Sequence, residues 1–185
     1  FYNILKHKTL ALLFLEPSSR TYGSFITSIY KLGGKVIIFN KNDLSLKKGE
    51  TIEDTIRCIE TFVDGIIVRA SSKDFQKIIK IARKPIINAG NGSYEHPTQA
   101  LLDFYTIYRH FTLHLYEKDE CKDTYSKINN TKIKVTMFND CKYSRTIHSL
   151  VKLLTLYNDK IIISYCNHPS LPIPDNIYNY AKTKN

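Results

Sequence analysis

The chain has no tryptophan and one methionine, and its four cysteines stand far apart at 58, 121, 141 and 166. They make no Cys-x-x-Cys pair and are too sparse for a disulfide framework, so they fit free thiols in a reducing compartment, with the cytosol as the expected location. Only 7 glycines and 6 prolines in 185 residues argue against a disordered or collagen-like chain. No apolar run approaches the roughly 20 residues that span a bilayer, and the longest, such as Leu10 to Leu15, have the length of buried strands. The opening Phe1-Tyr2-Asn3-Ile4-Leu5-Lys6 lacks the charged and apolar regions of a signal peptide. Acidic residues are also scarce: 17 against 27 Lys and Arg, a formal charge of +10 and a pI near 9.4. The lysines are spread along the whole chain among Asn, Ile and Tyr, without a nucleic-acid motif, so nucleic acid is not an expected partner.

Hydrophobic residues make up 43% of the chain, enough for a real core. Apolar runs alternate with helix-period segments, which predicts an α/β fold with a mainly parallel sheet flanked by helices. Strands are expected at Thr9 to Leu15, Val36 to Phe39, Gly65 to Arg69 and Pro85 to Asn88, with a turn at Ala89 to Ser93. Helices are expected from Arg20 to Leu32, stopped by Gly33-Gly34, from Thr51 with Asp54 in a capping box, and from Asp74 to Ala82. A long amphipathic helix follows from Pro97 to Phe111, where Leu101, Leu102, Tyr105 and Tyr108 recur at helical spacing. Glu117 to Asn130 is polar and reads as a loop or linker. The alternation then restarts with a strand at Ile133 to Phe138, a helix at Ser144 to Leu156, a strand at Ile161 to Tyr165, and a helix begun by Pro174. The expected division is one domain over 1–110 and the start of a second α/β domain over 111–185.

Five segments carry chemistry. Ser18-Ser19-Arg20-Thr21 places three hydroxyls and a guanidinium where a strand gives way to a helix, a setting that suits a phosphate, although a plain N-cap would use the same residue types. It is neither a GxxxxGK[ST] loop nor a GxGxxG fingerprint. Ser45-Leu46-Lys47-Lys48-Gly49-Glu50-Thr51 suits a loop that closes on an anion, or a solvated loop in a lysine-rich chain. Arg69 ends a strand, and in open α/β sheets ligands bind at the carboxyl ends of strands. His96 and Gln99 flank the start of a helix, where an imidazole tends to stay neutral and can donate to a carbonyl oxygen. Arg145 and Thr146, in Asn139-Asp140-Cys141-Lys142-Tyr143-Ser144-Arg145-Thr146-Ile147-His148-Ser149-Leu150, open a helix in the second domain and are placed to hold a carboxylate. His110 with His114 lacks a third metal ligand, Cys166-Asn167-His168 is no stronger, and no paired carboxylates for acid–base work are evident.

In this order the five segments closely resemble the aspartate carbamoyltransferase family, over nearly the whole chain. Phe14-Leu15-Glu16-Pro17-Ser18-Ser19-Arg20-Thr21 resembles the family's carbamoyl-phosphate motif, Lys47-Lys48-Gly49-Glu50-Thr51 its mobile loop, His96-Pro97-Thr98-Gln99-Ala100-Leu101-Leu102-Asp103 its second signature, and Arg145-Thr146-Ile147-His148-Ser149-Leu150 its aspartate-side motif. The resemblance implies a carbamoyl-phosphate domain plus the start of a second, Rossmann-like domain. It implies transfer of a carbamoyl group from carbamoyl phosphate to L-aspartate, with no metal or organic cofactor. Ser18, Ser19, Arg20 and Thr21 would bind phosphate, and Thr21, Arg69 and His96 would approach the carbamoyl oxygen. Gln99 would meet the carbamoyl amino group, and Arg145 with Thr146 an aspartate carboxylate. Ser45 and Lys48 would reach a neighbouring subunit's site, Lys48 also meeting aspartate, which implies a homotrimer.

The departures from the family pattern are specific. Ser19 replaces the usual Thr, Tyr22 a common Arg, and Asn139 and Ser144 the usual Gly, so a strained second-domain turn is expected. The loop at Ser45 is one residue shorter before its lysines. Family members begin with a helix before Phe1 and continue past Asn185, so the chain is expected to be a fragment. Ornithine carbamoyltransferase shares the phosphate motif but has an Asn-Asn type segment in place of Arg145-Thr146 and usually Arg-Gly-Glu in place of Lys48-Gly49-Glu50.

Overall fold

The run Thr9-Leu10-Ala11-Leu12-Leu13-Phe14 has no polar alternation, which suits a parallel strand covered on both faces. In the computed structural model, which describes residues 3–42, 44, 48–116, 132–157 and 159–184, it forms β1 at an interior position of a sheet. The other strands are β2 (Lys35–Asn40), β3 (Gly65–Ala70) and β4 (Ile86–Asn91), in the order β2-β1-β3-β4, with every pairing parallel. Strand parity then sorts the core. Ala11, Leu13, Ile66, Val68 and Ala70 join Ile56 and Ile59 of α2 (Ile52–Ile59) and Phe75 and Ile78 of α3 (Ser72–Ile81). Leu12, Phe14, Ile67 and Ala89 join Ile29 of α1 (Ser19–Lys31), with Tyr22, Phe25 and Ile26 against them. Each fully buried Leu or Ile here contributes about 1.5–3 kcal/mol relative to exposure.

The chain leaves β1 toward β2 on one side and continues through β3 and β4 on the other, so the strand order reverses between β1 and β3. Ligands of open α/β sheets favour the carboxyl side of that reversal. Phe14 pairs with Arg69 there, and the Leu15 N–H donates to the Arg69 carbonyl at 2.8 Å. At the opposite end, Asp64 accepts from the Thr9 N–H at 2.8 Å and the Lys8 Nζ at 3.0 Å, tying the starts of β1 and β3. Gly33 ends α1 with φ 80, a value that favours glycine, as its sequence implied.

The described residues divide into two compact units, Phe1–Tyr94 and Glu95–Asn185. The expected division at residue 110 lies inside α4 (Pro97–Tyr116), whose first residues pack with the second unit. That unit also contains β5 (Ile133–Phe138), α5 (Arg145–Leu154), a 3₁₀ turn at Thr155–Tyr157, β6 (Ile161–Cys166) and α6 (Asp175–Lys182). β5 and β6 pair in parallel, and Met137, Leu150, Val151, Leu154, Ile161 and Ile177 form the core. Two sequence expectations are corrected. Ala89 to Asn91 belong to β4, not to a turn, with a register shift opposite Val68 to Ala70. The apolar stripe of α4 is not its buried face: Leu101, Leu102, Tyr105 and Tyr108 are exposed, while Ala100, Phe104 and Ile107 pack inward. Adjacent leucines on two faces made the spacing ambiguous. The predicted linker at Glu117 to Asn130 lies outside the described residues, among which no helix is long and apolar enough to cross a membrane.

Candidate active site

Each described α-helix follows a strand, and the helices differ in how their first turn is completed. Thr51 caps α2 by accepting the Asp54 N–H, while its hydroxyl donates to the Asp54 carboxylate. Ser71 does the same with Asp74 at α3. Each is a capping box with an acid at the third helical position, which satisfies the exposed amides and offsets the partial positive charge of the helix start. At α1 the N-cap residue Ser18 makes no side-chain cap, and the first turn holds no acid. Thr21 occupies the place that Asp54 and Asp74 hold in the other two, and Arg20 adds a cation. The head of α1 thus keeps its first-turn amides clear of any carboxylate, a setting that favours an anion.

Ser18, Ser19, Arg20 and Thr21 follow directly from the loop after β1, and Ser19 and Arg20 are exposed. An open cavity of about 470 Å³ lies at the carboxyl ends of β1 and β2, lined in part by Phe14, Ser18, Tyr22, Asn40 and Lys41. Tyr22 stands edge-on to Phe14 at 5.5 Å between ring centroids, so the residue that departs from the family pattern packs against the β1 end. Arg69 is 8% exposed, and its Nη1 donates to the Ala89 carbonyl at 3.1 Å. This bond fixes the guanidinium against β4. Lys48 is exposed in the connection to α2, and Ser45 lies outside the described residues.

In the second unit, His96 is 6% exposed and caps α4 with its own ring. The Gln99 N–H approaches Nδ1 at 3.3 Å and the Thr98 hydroxyl lies 3.4 Å from the same nitrogen. With Nδ1 accepting, a neutral imidazole carries its proton on Nε2 and can donate from there. The His96 N–H donates to the Ser149 hydroxyl at 3.0 Å. The Gln99 amide nitrogen donates to Asp103 at 2.9 Å, which orients the side chain along the first turn.

α5 repeats the character of α1. It opens with Ser144-Arg145-Thr146, its N-cap Ser144 makes no side-chain cap to the helix, and its first turn holds no acid. The Ser144 and Thr146 hydroxyls lie 3.1 Å apart. Asp140 accepts from the Lys142 N–H at 3.1 Å and the Tyr143 N–H at 2.9 Å, shaping the preceding turn. Asn139 adopts φ 75, so the strain expected from Asn at a glycine-favouring place is present, whereas Ser144, with φ −78, is ordinary. His148 donates from Nε2 to the Cys141 carbonyl at 2.9 Å, so it holds the loop. Sequence reasoning named Ser149 only as part of a motif and passed over Glu95 and Lys152, whose contacts appear only when α5 packs on α4: Lys152 forms a short ion pair with Glu95. No group of three or more potential metal ligands gathers among the described residues.

Residues 1–109 match a family described as aspartate/ornithine carbamoyltransferase, carbamoyl-P binding domain. The aspartate carbamoyltransferase catalytic subunit of Methanocella arvoryzae is 39% identical over 98% of this chain and 54% of its own length. The multifunctional protein pyr1-3 of Dictyostelium discoideum is 40% identical over 98% of this chain and 7% of its own. Among solved structures, aspartate transcarbamoylase from Trypanosoma cruzi in complex with aspartate and phosphate superposes with a TM-score of 0.79. Its identity is 34%, over 98% of this chain and 54% of that one. The chain therefore spans about half the length of the catalytic-subunit relatives that it matches.

Proposed function

We propose that this chain, which belongs to the aspartate/ornithine carbamoyltransferase family, takes part in transferring the carbamoyl group of carbamoyl phosphate to the amino group of L-aspartate. The products are N-carbamoyl-L-aspartate and phosphate, in an early step of de novo pyrimidine biosynthesis. The observation that carries the reading is the head of α1, uncapped and free of acid at the β1/β3 reversal, with Ser18, Ser19, Arg20 and Thr21 upon it. Those hydroxyls, the amides of the first turn and Arg20 bind the phosphate.

The aspartate amine attacks the carbamoyl carbon, and negative charge gathers on the carbamoyl oxygen of a tetrahedral intermediate. Thr21, Arg69 and the Nε2–H of His96 donate to that oxygen, and losing one such donor typically costs about 10²–10³ in rate. Gln99 holds the carbamoyl amino group, and Arg145 with Thr146 an aspartate carboxylate. Phosphate then leaves into its cradle and accepts the amine's proton, so no carboxylate base is required. Fixing two anions in line removes much of the entropy of encounter. Lys48, with Ser45, serves the site of an adjacent subunit in a homotrimer that works in the cytoplasm. In domain terms, residues 1–110 supply the carbamoyl-phosphate side and 111–185 begin the aspartate side.

Aspartate is favoured over ornithine because it carries a second carboxylate where ornithine has a second amine, and the head of α5 offers Arg145 with no acid beside it in the first turn. Offering the protein carbamoyl phosphate with each amine in turn tests this: carbamoyl aspartate is expected, and citrulline alone would overturn the assignment. Arg20→Ala is expected to abolish phosphate-side binding, while His96→Ala mainly lowers turnover. Unaltered behaviour of both variants would refute the assigned roles.

A further inference from the structure

Arg145, Ser149 and Lys152 are spaced i, i+4 and i+7 on α5 and share one face. Ser149, 5% exposed, accepts the backbone N–H of His96 at 3.0 Å. The next turn brings Lys152 Nζ onto Glu95 Oε1, with side chains 29% and 24% exposed. Both residues that lead into α4 are therefore held by the helix that carries Arg145. The imidazole of His96 is set from the other side by the Gln99 amide on Nδ1. The backbone entering α4 and the ring it carries have separate supports, and the outer support is ionic.

We propose that the Glu95–Lys152 ion pair is a positioning clamp for His96, holding the entry to α4 so that the ring keeps Nδ1 on the Gln99 amide and directs its Nε2–H at the reacting oxygen. This rests on the reading of His96 as a donor in carbamoyl transfer. Exposed ion pairs do little, but a pair mostly withdrawn from water is screened less. Its effect falls on geometry: a displacement of about 1 Å at a catalytic group can cost about 10²-fold in rate. Neither residue touches substrate in this reading. Because Arg145 lies on the same helix face, capture of an aspartate carboxylate bears on the element that steadies His96.

The test uses the full chain with Lys152→Met, Glu95→Gln and the exchanged pair Glu95→Lys with Lys152→Glu. Nitrogen-15 NMR of the His96 ring reads the tautomer directly. The unaltered protein is expected to show the Nε2–H form, and Lys152→Met a mixture of the two. In the transfer assay Lys152→Met is expected to lower kcat about tenfold with KM for carbamoyl phosphate within about twofold, a loss of position and not of binding. The exchanged pair is expected to recover most of the kcat and the single tautomer. Should Lys152→Met fail to fold, Lys152→Gln, which keeps a donor without the charge, is read in its place. The clamp is refuted if the tautomer and kcat stay unchanged, if stability alone falls, or if exchange restores neither. The ring signature decides the clamp even if the unaltered protein makes no carbamoyl aspartate, which would refute the proposed reaction instead.

Discussion

Replacing Thr21 with Asp would rebuild at α1 the capping box that α2 and α3 already have, because position 21 corresponds to Asp54 and Asp74. For the helix this is favourable. A carboxylate in the first turn contributes about 0.3–1 kcal/mol through the helix dipole, and its reach back to the cap adds a few tenths more. The melting temperature is expected to rise by a few degrees, since about 1 kcal/mol moves a domain of this size by about 4–8 °C. For an anion the same change is unfavourable. A unit charge about 4 Å from another costs about 1 kcal/mol in water and about 4 kcal/mol at the effective dielectric near a protein surface. Ser19 and Arg20 are exposed, so the lower half of that range applies to each charge of the phosphate. Together these give a loss of about 10²-fold in affinity, at about 1.4 kcal/mol per tenfold. Calorimetric titration with inorganic phosphate reads the affinity and thermal unfolding without ligand reads the stability. Thr21→Val separates loss of the hydroxyl from gain of charge and is expected to weaken binding less. Phosphate affinity unchanged in Thr21→Asp would refute the assignment of α1 as the anion site.

Other expectations follow from the packing and the titrating groups. The Thr9 amide and then the Lys8 ammonium hold the Asp64 carboxyl below the usual carboxylate range. Its folded-state pKa lies below the unfolded one, so its stabilisation is complete above the unfolded value and is lost as pH falls through the folded one. Asp64→Asn should therefore flatten the acid limb of stability against pH, and an unchanged limb would count against the tie. Ile67, 1% exposed and paired with fully buried Leu12, should cost about 2–5 kcal/mol as Ile67→Ala, read from the urea midpoint. Burial, followed by Asp140 and Cys166, pushes the Cys141 thiol up, so alkylation mass mapping should label exposed Cys58 and Cys166 in the native state and Cys141 only on unfolding.

The strands of the first unit were legible because β1 and β3 are nearly pure apolar runs bounded by turn residues. Thr51 with Asp54 announced a capping box that the structure contains. β4 was harder. Its last residues, Ala89-Gly90-Asn91, carry the composition of a turn yet pair with β3 across a register shift, with Gly90 at φ 110. In α4 the leucines and tyrosines that dominate the pattern face outward, and the smaller set Ala100, Phe104 and Ile107 packs, because propensity to be buried is decided by the neighbour and not by size. The residues proposed to bind anions were legible as residue types at strand-to-helix junctions. The supports of His96 were not: Ser149 and Lys152 lie more than fifty residues away, and only the packing of α5 brings them to Glu95 and His96.

The described helices fall into two sets by their first turns. α2, α3 and α6 carry acids there, Glu53 and Asp54, Asp74, and Asp175. α1, α4 and α5 carry none, and these are the helices that open with Arg20, His96 and Arg145. Omitting a side-chain cap costs about 0.5–2 kcal/mol; α6 also omits one at Pro174 but keeps Asp175, whereas α1 and α5 have neither cap nor acid. The omission is understandable if something else completes those turns. An internal carboxylate would satisfy the amides but repel an anion, whereas Arg and hydroxyl groups leave the amides available and add to their field. α4 takes an intermediate course: the His96 ring itself accepts the Gln99 amide, so the first turn is completed without a carboxylate. The scarcity of acids in the whole sequence is thus not uniform. The first turns of α1, α4 and α5, where the proposed anion sites lie, hold no acid, and acids are retained at the starts of α2, α3 and α6.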